Sequence, residues 1–218
     1  MIFFDPLYFI LIGPAFILAI YAQAKVKRAV NKYSKVRTTT GLNGSSAARR
    51  ILDSFGLSDV RIEQSKGWMS DHYDPRKKVL RLSPDVYSSP SVASVGIAAH
   101  EAGHAIQHAT GYALLRFRNA IVPTAQFGSW LAFPLIIIGI IFSFYQLALV
   151  GFFMFLALVL FQLVTLPVEL DASSRAKKII TGSGIIQTDE EAKGVSAVLS
   201  AAAMTYLAAT VTALVQLL

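Results

Sequence analysis

From Asn119 to Val168 the chain carries no Lys, Arg, Asp or Glu for 50 residues. A single helix that long would measure ~75 Å, more than twice the ~30 Å hydrocarbon core of a bilayer. The stretch therefore predicts two membrane spans. Their turn is expected at Ser143, Phe144, Tyr145 and Gln146, whose polar and aromatic groups suit an interface. Composition agrees, because 54% of the 218 residues are hydrophobic and only 15% charged, against about 25% charged in soluble domains. A disordered chain and a two-domain soluble protein are both excluded.

Two further uncharged runs flank the charged parts. Residues 7–24 hold 18 uncharged positions followed at once by Lys25, Lys27, Arg28, Lys32, Lys35 and Arg37, which is the order of a membrane anchor and not of a cleaved signal peptide. Residues 194–218 are uncharged too but rich in Ala, Ser and Thr. They read as a fourth span or as a helix packed on the extramembrane part. All 20 Lys and Arg fall between Lys25 and Arg118 or between Arg175 and Lys193. The positive-inside rule then places both blocks in the cytoplasm and both termini on the other side. The expected organisation is an anchor at 1–24, a cytoplasmic unit at 25–118, a transmembrane hairpin at 119–168, a second cytoplasmic segment at 169–193 and a last span at 194–218. The net charge of +7 is explained by this topology. No basic face interleaved with aromatics suggests nucleic acid.

Within the first block, residues 45–55 form a short amphipathic pattern closed by Gly56. Strand-like segments at 60–63, 68–73 and 78–82 surround the turn residues Asp74 and Pro75, predicting a small hairpin or meander. Ser91 is a good N-cap for a helix over 91–109, which Gly111 can end. The fold class is thus a membrane α-helical protein of about four spans with a small α+β cytoplasmic unit.

That last helix contains His100, Glu101, Ala102, Gly103 and His104, an HExxH pattern. Residues four apart share a helical face, so both imidazoles can reach one metal ion while Glu101 sits beside it, against water. Imidazole suits zinc, and the absence of cysteine excludes thiolate ligands. Catalytic zinc takes three protein ligands and a water. His108 lies ~12 Å along the axis from His100 and reads as structural or as a rim group. Glu169, emerging from the uncharged stretch, is well placed to complete the site. Asp171 is turned ~200° from it around a helix and reads as a partner to an imidazole or as a helix-end charge.

The segments around His100–Gln107, Ser70–Pro75 and Leu166–Ser173 together resemble the YugP-like family of bacterial membrane zinc metallopeptidases, over nearly the whole length. The resemblance implies a zincin-like domain of the gluzincin type, similar in plan to membrane peptidases of the HtpX kind. It makes His100, His104 and Glu169 the ligands of one zinc ion and Glu101 the general base. Gluzincins commonly place an aspartate four residues after the ligand glutamate. Here that position is Ser173, so its hydroxyl or Asp171 takes the imidazole-orienting task. The expected activity is a membrane-embedded zinc endopeptidase acting at the cytoplasmic surface on membrane-associated protein or peptide substrates. The strand around His72 would pair with an extended substrate, and Tyr73, His72 or Arg175 would stabilise the oxyanion. The alternative is a non-catalytic scaffold or metal sensor with a structural zinc site, which would need a fourth ligand.

Overall fold

The computed structural model describes residues 6–67 and 69–217. Its elements run α1 (Pro6–Tyr33), α2 (Gly44–Ser54), β1 (Arg61–Gln64), β2 (His72–Asp74), β3 (Val79–Leu82), α3 (Pro84–Ser88), α4 (Val92–Ala109), α5 (Ala113–Ile141), α6 (Tyr145–Gly182) and α7 (Asp189–Leu217). Among the described residues, four helices are long and apolar enough to cross a membrane. With the three-stranded sheet they give a membrane helical protein carrying a small α+β unit.

Contacts divide the chain in two. One unit is built from Ala113–Val168, α1 up to Ile20 and α7 from Tyr206. Its surface is apolar: Trp130, Phe127, Ile17 and Phe153 are all exposed, as lipid-facing side chains are. Ala132, Phe155, Val159 and Ala213 form a small buried cluster there. Phe142, Ser143 and Phe144 form the break between α5 and α6, with Ser143 at φ 54°, where the sequence predicts it.

The other unit comprises Tyr21–Tyr112 and Glu169–Thr205. Its core gathers Ile51 and Leu52 of α2, Leu80 and Leu82 of β3, Val92, Val95 and Ile106 of α4, Ile180 of α6 and Leu199 of α7. α2 begins at Asn43, whose side chain accepts from the Ser46 N–H at 2.8 Å. α4 begins at Ser91, whose hydroxyl accepts from the Ser94 N–H at 3.2 Å. Gly56 and Gly111, at φ 70° and 66°, follow the two helices as left-handed terminators.

The sheet differs from a meander. Its order is β1-β3-β2, with β2 antiparallel to β3 and β1 parallel to it, Arg61 opposite Val79. The hairpin is therefore β2–β3, and β1 joins it from the far side. The second strand starts at His72 and not before it; Trp68, where the sequence begins that strand, lies outside the described residues. Central β3 buries Val79, Leu80 and Leu82, which fits a strand with neighbours on both edges. The helices also run longer than the charge pattern suggests. α1 continues through its basic segment to Tyr33, and α6 continues through Glu169 to Gly182. Charge ends a span, but it does not end a helix. At 38 residues, α6 is ~57 Å long, so part of it must leave the ~30 Å hydrocarbon core.

α4 is buried on nearly every side because its residues are small. Ala98, Ala99 and Ala102 are fully buried, and a Cβ at Gly103 would stand 2.9 Å from the Ala172 carbonyl oxygen of α6. That approach brings α4 and α6 backbone to backbone. Gly103→Ala is expected to force them apart at a cost of about 1–3 kcal/mol, read as a lower unfolding midpoint for the full-length protein in detergent. An unchanged midpoint would show that the contact yields freely.

Candidate metal centre

α4 presents His100 and His104 one turn apart, with ring centroids 4.8 Å apart and planes near perpendicular. α6 presents Glu169, 2% exposed, against both. Glu169 Oε2 lies 3.1 Å from His100 Nε2 and 3.4 Å from His104 Nε2. One donor atom from each residue falls within 4.8 Å of the others. In a tetrahedral zinc site with bonds of about 2.0–2.2 Å, neighbouring donors stand roughly 3.3–3.5 Å apart. The residues present therefore fit zinc in type and spacing.

Glu101 is buried beside them and has no hydrogen-bond partner among the described residues. Burial pushes its carboxyl above the ordinary range, although the imidazoles of His100 and His104 pull the other way. For His104, burial works against protonation. The Glu169 carboxylate overrides it and holds the imidazole above its ordinary value.

Behind the donor atoms, the two imidazoles are held differently. Ser173 Oγ lies 3.2 Å from His100 Nδ1. His104 Nδ1 lies 2.9 Å from Gln107 Oε1, the Gln107 amide donates to Asp171 Oδ2 at 2.8 Å, and Arg175 Nε donates to the same oxygen at 2.6 Å. Both candidates for the imidazole-orienting task thus have a place: Ser173 on His100 directly, and Asp171 on His104 through Gln107. Gln107 is a functional candidate that the motif alone does not mark. Its position three residues after His104 was the available signal, since that spacing puts the two on one face.

The other residues singled out are not among the three clustered donors and have partners of their own. His108 Nδ1 is 2.9 Å from the Tyr73 hydroxyl, beside a cavity of about 210 Å³ lined also by Leu57, Asp59 and Ala105. Burial raises Tyr73 to about 12, so it stays a hydroxyl at any physiological pH. His72 is exposed, with Nδ1 2.8 Å from the Ser70 carbonyl, and Arg175 stacks over Tyr112 at 5.9 Å while holding Asp171. Asp71 accepts from the Ser83 N–H at 2.7 Å and from its hydroxyl at 3.0 Å, tying the residue before β2 to the N-cap of α3.

Comparison with known proteins agrees with the chemistry of the donor set. The family described as "Putative neutral zinc metallopeptidase" matches residues 8–218. The curated "Putative membrane protease YugP" of Bacillus subtilis (strain 168) is 47% identical over 201 residues, which is 92% of this chain and 89% of that protein. No solved structure matches the chain. Near-complete coverage by the family and by this relative establishes that the chain belongs to this family of membrane zinc metallopeptidases.

Proposed function

We propose that the chain is a zinc endopeptidase in which His100, His104 and Glu169 hold one zinc ion and Glu101 serves as general base. The observation that carries this reading is the convergence of those three donors beside a buried carboxylate that has no hydrogen-bond partner among the described residues. Zinc bound there would acidify a water toward neutral pH and polarise a carbonyl. The chain's own residues do the rest. Glu101, made more basic by burial, accepts the proton of the attacking water and hands it to the leaving amine. Ser173 and Gln107 hold the imidazoles in register from behind.

An extended chain can reach the site along β2. Among the described residues β2 pairs with β3 on one side only, so its other edge can bind a peptide backbone with little demand on side chains. That mode takes an internal segment, hence the endopeptidase assignment. Chelation of the purified protein should abolish cleavage of casein and zinc should restore it, with mass spectrometry reporting new internal termini. Products released singly from a chain end would instead make it an exopeptidase.

A structural zinc scaffold is the second reading. It needs a fourth protein ligand, and among the described residues the donor group contains three. His108 and Asp171 are engaged by Tyr73 and by Gln107 with Arg175.

The site is assigned to the cytoplasmic side of a multi-pass protein, with membrane-proximal polypeptides as substrates. The exposed Lys27, Arg28, Lys32, Lys35 and Arg37 support this through the positive-inside rule. A cysteine introduced at Ser65 should react with an impermeant thiol reagent only in opened cells, and one at Phe144 in intact cells. The reverse pattern would overturn the orientation.

A further inference from the structure

We infer that Asp171 and Gln107 form a directional hydrogen-bond relay that fixes which nitrogen of His104 is offered to the metal. The inference rests on the reading of His104 as a zinc ligand. It concerns Gln107 and Asp171 as positioning residues, which touch neither substrate nor the reacting atoms.

The direction follows from what each group can do. Arg175 can only donate, and its Nε reaches Asp171 Oδ2 at 2.6 Å. That oxygen is therefore an acceptor, and the Gln107 group facing it at 2.8 Å must be the NH₂. A side-chain amide free in a cavity could flip. This one cannot without setting its oxygen against a carboxylate. Its oxygen is consequently turned to His104 Nδ1 at 2.9 Å, and because an amide oxygen only accepts, Nδ1 carries the hydrogen. A neutral imidazole has one N–H, so the lone pair is left on Nε2, the nitrogen that faces Glu169 at 3.4 Å. Gln107 is fully buried, which shields the chain of bonds from exchange with water.

His100 lacks such a constraint. Ser173 Oγ, at 3.2 Å from His100 Nδ1, can donate or accept and so accommodates either tautomer. The relay thus makes one of the two imidazoles a pre-set ligand. It also keeps the directly bonded partner uncharged: the carboxylate stands one residue further out, balanced by Arg175. An imidazole backed by an amide donates less electron density than one backed by a carboxylate, and the ion stays a stronger Lewis acid.

The test is the zinc affinity of full-length protein in detergent, by competition with a chromophoric chelator. Gln107→Met keeps volume and removes the acceptor; it should weaken zinc binding by about 10–100-fold. The double variant Gln107→Glu with Asp171→Asn keeps net charge, keeps an acceptor for Nδ1 and supplies an amide donor to it from position 171. It should bind zinc within a few-fold of the wild type. Two substitutions in a merely structural cluster would add their damage and not cancel it. Wild-type affinity in Gln107→Met, or a double variant no better than Gln107→Met, would overturn the relay. His104→Ala distinguishes the levels: if it loses zinc while Gln107→Met does not, only the relay fails. If it keeps zinc at full affinity, the assignment of His104 as a ligand fails first.

Discussion

Glu169→Gln is expected to leave the protein nearly free of zinc. The substitution keeps the shape of the side chain but replaces an anionic donor with a neutral amide. The two imidazoles that remain are short of the three protein ligands a catalytic site needs. It also neutralises the carboxylate that lies against both imidazoles, at 3.1 and 3.4 Å, in a position only 2% exposed. Asp171→Asn should cost less, about the 10–100-fold of a group that acts through a ligand, because Asp171 reaches His104 only through Gln107. Zinc per chain after dialysis, by atomic absorption, separates the two. Retained metal in Glu169→Gln with complete loss in Asp171→Asn would mean the two carboxylates exchange roles.

What the sequence made legible was whatever depends on local spacing. An uncharged run has a length, and the length dictates how many times it can cross a bilayer; Ser143 duly sits in the break between α5 and α6. Ser91 and Gly111 bracket α4 because caps are local chemistry. His100 and His104 share a face because helices repeat every 3.6 residues. Glu169 meets them from 65 positions beyond His104, and among the residues themselves its being the first charge after a long apolar run is what singles it out.

Non-local arrangement was not legible. Alternation marks residues 60–63 as a strand but says nothing of its partner, and β1 pairs parallel with β3 where a meander would run antiparallel. The five-residue α3 is too short to show a period. α6 passes beyond the uncharged stretch without a break because no helix-ending residue stands between Pro167 and Gly182, and the charge count registers solvent, not backbone. Gln107 escaped because its role requires Asp171, 64 residues away on another helix. A search for metal ligands looks past an amide side chain, and Gln107 is the residue that holds His104.

The most direct measurement pairs zinc content with peptide hydrolysis in Glu101→Gln. Glu101 is not among the three donors, and its carboxyl lies in a buried setting where an amide of the same size fits. The substituted protein should therefore fold and bind zinc as the wild type does. It lacks only the oxygen that accepts the water's proton, and general base catalysis contributes about 10²–10⁴-fold. Cleavage of casein should fall by at least that order while zinc per chain stays the same. Hydrolysis undiminished beside wild-type zinc content would contradict the assignment of this helix as the peptidase centre.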